Sequence, residues 1–212
     1  MSNDQNSLSK QVHSLIKIIA GIFLFTMALG ALLPKGVPAV VALIPSAIGW
    51  VNVIIHETGH MVFGLLGYGI GVAGGTLAQL LAPLAVSFSA LRQRMPIAIA
   101  VCVVWLGQNF IQISPYIADA RERKVDFFQW WAAFGGPIME TGSKTHHDWY
   151  IMLNAVHLLW ADKLIATLFF IVGAFLMFGA IACLVAPSAW REKVLNLIAK
   201  NCLSVGTYRR DR

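Results

Sequence analysis

A series of apolar runs, each about as long as a bilayer-crossing helix, constrains this chain more than any other feature. A hydrocarbon core of about 30 Å takes about 20 apolar residues per helix. Backbone polar groups inside it must be satisfied within the segment, so runs of this length are expected to be helices. Five such runs are read from the sequence, at about Leu15 to Leu33, Val37 to Tyr68, Val72 to Leu91, Ile97 to Ile117 and Leu164 to Val185. The second is longer than one crossing requires, so tilt or a break near Pro45 is expected. Tyr150 to Trp160 reads as a short interfacial helix, and Trp130, Trp131, Trp149 and Trp160 as interfacial anchors. The expected fold is all-α: a polytopic helical membrane protein forming one domain over residues 1–212. Within it, residues 122–162 form a connecting region, and 163–212 the last span and a basic tail.

Composition supports this reading. The chain is 58% hydrophobic and 12% charged, against about a quarter charged in soluble domains. Its net charge of +6 comes from residues scattered between the runs and in the tail. That pattern fits membrane-flanking charge and contact with a lipid bilayer, and argues against a nucleic-acid partner. Cys102, Cys183 and Cys202 form no Cys-x-x-Cys pair, which excludes a cysteine zinc site of that type. Met1 to Ser9 lacks the charged region and cleavage site of a signal peptide, so the first run is expected to be retained. With the small size, this suggests a multi-pass protein of a prokaryotic inner (plasma) membrane.

The second run contains His56-Glu57-Thr58-Gly59-His60, an H-E-x-x-H pattern. Positions four apart share one helix face, so both imidazoles can reach one metal ion. Glu57 then stands where a general base on a metal-bound water is needed. Ionisable residues are costly in hydrocarbon, so this cluster points to function. Two histidines supply half of a tetrahedral zinc site, and catalysis needs one more protein ligand and one open position.

Five spans put the connection after the fourth run on the side the histidines face. Asp119, His147 and Asp148 can therefore approach them. Asp119 could instead pair with Arg121 or Arg123. His147 or Asp148 could supply a ligand or orient one, or Asp148 could cap a helix starting at Trp149. Gln79 and Asn109 are neutral amides in apolar runs, which suits interhelical hydrogen bonding.

His56 to Gly67, HETGHMVFGLLG, resembles the first motif of the site-2 protease family of intramembrane zinc metalloproteases. Gly75 to Leu81 is similar to a second family segment, with Thr76 for Pro and Gln79 for Asn. Asn109 to Pro115 with Asp119 resembles a third, and the three occur in the family order. The resemblance implies a three-helix catalytic core over about residues 37–121, with Zn2+ held by His56, His60 and Asp119. It implies Glu57 as general base, and Gln79 and Asn109 as groups that hold substrate backbone or an oxyanion. The implied substrate is a membrane protein whose transmembrane helix unwinds before cleavage. The alternatives are a membrane metal-binding or metal-transport protein without protease activity, and a non-catalytic relative.

Overall fold

The computed structural model describes residues 2–33, 39–124, 147–187 and parts of 189–198. Trp130, Trp131 and the basic tail beyond residue 198 lie outside the described residues. Within them every regular element is helical. Helix α1 spans Ser2–Leu32, α2 Ala39–Gly64, α3 Tyr68–Arg92 and α4 Pro96–Ala118. The short α5 spans Asp148–Ala155, and a 3-10 turn at Leu159–Ala161 leads into α6, Asp162–Val185.

Four helices are long and apolar enough to cross a membrane, at Ser14–Leu32, Tyr68–Arg92, Pro96–Ala118 and Leu159–Val185. Sequence reading expected five. The count is of the described residues, and the side chains of residues 39–46, which open α2, lie outside them, so the second run is left uncounted. The break anticipated near Pro45 does not occur: Pro45 lies within the continuous helix Ala39–Gly64. A proline there withholds one intrahelical bond, to the carbonyl four residues earlier, and leaves the following turns paired.

Helices α2 and α3 pack closely and are joined by a three-residue turn, Leu65 to Gly67. Gly67 closes that turn at φ +114°, a backbone state open to glycine alone at low cost. A Cβ on Gly74 would lie 2.6 Å from the Gly59 carbonyl oxygen, so two small residues set the approach of α2 to α3. Helix α4 is central: it packs along α6, against α3 on another side, and against α1.

Two apolar clusters hold the bundle. One joins α1, α4 and α6 through Leu24, Ala28, Val104, Ile111, Met177 and Leu184. The other gathers Val53, Ile113, Tyr116, Ile117, Trp149 and Leu153 at the opposite part of the bundle, where α5 docks. The interfacial helix anticipated at Tyr150 to Trp160 is shorter and begins earlier. It ends after Ala155 because His157 adopts φ +59°, and the Leu158 N–H returns to the Leu153 carbonyl at 2.8 Å. That six-to-one bond closes a helix end.

Candidate metal centre

His56 and His60 stand one turn apart on α2, their rings edge to face with centroids 4.7 Å apart. His56 is buried at 2% exposure, and the His60 side chain is 26% exposed. Asp148, the first residue of α5, reaches both: its Oδ2 lies 3.3 Å from Nε2 of His56 and 3.3 Å from Nε2 of His60. One ligand atom from each of the three lies within 4.8 Å of the others.

Hydrogen bonding behind the rings decides which nitrogens face the cluster. Nδ1 of His60 lies 2.8 Å from the Gly71 carbonyl oxygen. A carbonyl only accepts, so Nδ1 carries the proton and a neutral His60 turns the Nε2 lone pair toward Asp148. Nδ1 of His56 lies 3.1 Å from Oε1 of Gln79, the same arrangement with an amide in place of the main chain. A carboxylate oxygen facing two nitrogen lone pairs is repulsive unless a cation or a shared proton sits between them. Such outer partners are the usual means of orienting metal-bound imidazoles.

The dimensions and the free space also suit a metal. A tetrahedral zinc site with bonds of about 2.0–2.1 Å has ligand-to-ligand edges of about 3.4 Å, and the two nitrogen-to-oxygen separations are 3.3 Å. Gly75 on α3 clears the volume in front: a Cβ there would come within 2.5 Å of the His56 Nε2 and 2.6 Å of the His60 Nε2. The donor set of two imidazoles and one carboxylate matches an open catalytic zinc site. Glu57 is exposed beside the histidines, and its charge acts on the His60 ring.

Asp148 is delivered by a small anchor. His147 caps α5, its Nδ1 accepting from the Tyr150 N–H at 3.2 Å. Its ring stacks on Tyr116 with centroids 4.1 Å apart, and the Asp148 N–H donates to the Tyr116 hydroxyl oxygen at 3.2 Å. Burial pushes the His147 imidazole below its ordinary pKa, which keeps it neutral and able to accept as a cap. Burial also works against charge on Asp148, but in the metal-free protein protons shared with the His56 and His60 Nε2 atoms outweigh it and hold this carboxyl below the ordinary range.

The structure distributes the sequence candidates unevenly. His56, His60 and Asp148 come together, whereas Asp119 stands behind His147, Oδ2 to Nε2 3.7 Å, outside the group. Asp119 closes α4, and its Oδ1 accepts from the Lys124 N–H at 3.2 Å as the chain turns away through Arg123 at φ +46°. Arg121 pairs with Asp162 at 2.7 Å, not with Asp119. The N-cap of α5 is His147, which leaves the Asp148 side chain free for the histidines. Gln79 and Asn109 are buried at 1% and 0% exposure, and the Gln79 Nε2 donates to the Asn109 Oδ1 at 2.9 Å. Their described contacts are thus interhelical. The Gly71 carbonyl, Gly75 and Tyr116 escaped sequence reasoning. Only the Gly74-Gly75 pair carried a signal, of close approach in general.

No protein-family model, no curated protein and no solved structure matches this chain.

Proposed function

We propose that this chain is an integral membrane zinc metallopeptidase similar to the site-2 type, with His56, His60 and Asp148 as ligands. The observation that carries the reading is the convergence of two Nε2 lone pairs and one carboxylate oxygen on the space beside Gly75. The membrane setting is supported by the outer surface. The span Leu159–Val185 has a mean hydropathy of 2.7 with only 17% of its window buried, and Phe175 is 76% exposed. Apolar surface on that scale requires an apolar solvent.

A zinc ion bound there supplies Lewis acidity, to a water and to a scissile carbonyl. His56 and His60 would hold the ion through neutral nitrogens and Asp148 through one negative charge. Glu57 accepts the proton of the attacking water and passes it to the leaving amine. Its exposed position suits exchange with substrate. A helical substrate hides its carbonyls in its own hydrogen bonds, so the substrate is a membrane helix that unwinds locally at the site.

The test is zinc content and cleavage of a transmembrane-helix reporter by purified protein in detergent. About one zinc per chain in the wild type, its loss in Asp148→Ala, and retained zinc without turnover in Glu57→Gln are expected. Zinc retained in Asp148→Ala, or full turnover in Glu57→Gln, would overturn the assignment. Metal-dependent ion flux without cleavage would replace the peptidase reading with a transport one.

A further inference from the structure

The two histidines are oriented by unequal partners. The Gly71 carbonyl leaves His60 no choice of tautomer. Gln79 leaves His56 a choice, because an amide offers an acceptor at one end and a donor at the other. With Oε1 toward His56, Nδ1 is protonated and Nε2 is a free ligand. With the amide reversed, Gln79 would donate to Nδ1, and the proton would sit on Nε2, where it blocks metal binding. The orientation of Gln79 therefore sets where the His56 proton lies.

The geometry points to Asn109 as a positioning residue coupled to this choice: its amide and that of Gln79 must turn together, so its orientation passes to His56 through Gln79. The inference rests on the metal reading above. Its Oδ1 accepts from the Gln79 Nε2 at 2.9 Å, which directs the Gln79 Oε1 to His56 at 3.1 Å. The chain crosses three helices, from α4 through α3 to α2, and is sealed from solvent, with Asn109, Gln79 and His56 at 0%, 1% and 2% exposure. Burial makes an incorrect donor–donor or acceptor–acceptor contact costly, because no water can relieve it. The arrangement leaves the Asn109 Nδ2 without a hydrogen-bond partner among the described residues. One orphaned donor on α4 is thus accepted while the amide facing the ligand is satisfied.

The experiment reads the tautomer and the metal separately. Ring 15N chemical shifts of His56 in the metal-free protein report which nitrogen carries the proton. Competition with a chromophoric chelator gives Co2+ affinity, and the visible Co2+ spectrum reports coordination. The wild type is expected to hold His56 protonated on Nδ1. Asn109→Leu should show the other tautomer or a mixture and bind Co2+ on the order of 10- to 100-fold more weakly, the range for outer-shell changes. Asn109→Asp keeps an acceptor in the same place and should restore both. Gln79→Leu repeats the loss if Asn109→Leu does not fold. An unchanged tautomer in both leucine variants, or Nε2 protonation in the wild type, overturns the relay. A fixed Nδ1 tautomer in a wild type that binds no Co2+ overturns the metal reading and leaves the relay standing.

Discussion

The two parts of this bundle solve opposite problems. Between α1, α4 and α6 the contacts are apolar, with Val104 and Met177 at 0% exposure and the Gly107 and Gly173 backbones in close approach. Between α2, α3 and α4 the interior is polar, and its groups are largely spent on one another. Asn52 donates to the Gln112 Oε1 at 2.8 Å and accepts from the Trp105 Nε1 at 2.7 Å, one turn from His56 on the same helix. The apolar side is held by shape and tolerates small losses of volume. The polar side is held by complementary donors and acceptors, where a single missing partner leaves a buried group exposed to its full desolvation cost. The candidate site sits on the side where errors are most expensive.

Substitutions that separate the two sides test this contrast. The largest effect is expected from Asp148→Ala, which removes a ligand: metal affinity should fall by more than the about 100-fold upper range of outer-shell changes, as measured by chelator competition. Next, Glu57→Gln should lower turnover by about 100- to 10,000-fold, the usual range for losing a general base, with zinc content unchanged. Gly75→Ala should expel the metal without touching a ligand, because its methyl enters the space both Nε2 atoms face. Metal analysis alongside thermal unfolding distinguishes that from misfolding. On the other side, Met177→Ala should cost about 2–5 kcal/mol of stability and leave Co2+ affinity per folded molecule unchanged. A change in affinity there would show that the two sides are coupled.

The smallest expected effect is electrostatic. The Asp148 carboxyl is held below its ordinary value near 3.9 by its histidine partners. A depressed carboxyl stabilises the fold above that value and loses the contribution as pH falls through its own lower pKa. In the metal-free protein, the melting temperatures of wild type and Asp148→Asn should therefore converge as pH is lowered below about 4. Divergence on acidification would contradict the sign.

What the sequence disclosed follows the range of the physical rules involved. His56, Glu57 and His60 were legible because helical periodicity alone puts residues four apart on one face. The apolar runs were legible because a run of helix-spanning length needs no tertiary context. Asp148 stood among the alternatives, but nothing local ranked it above Asp119. The decision lies in the end of α4, where Asp119 binds the Lys124 N–H and faces His147, and in Tyr116, whose ring and hydroxyl seat the start of α5. The orienting role of Gly71 is carried by its backbone oxygen, which every residue possesses, and so leaves no trace in the sequence.

Asp148 reaches His56 across 92 residues of chain. During synthesis, the α2–α3 hairpin with both histidines, Gly71 and Gly75 is complete long before Asp148 leaves the ribosome. The nascent hairpin therefore offers only two nitrogens, too few to retain zinc firmly. On the proposed function, acquisition of the metal would be a late event in the life of the molecule, and hydrolytic competence would arrive only after α4 and α5 have been threaded into place. A membrane peptidase of the proposed kind would be silent while it is being made.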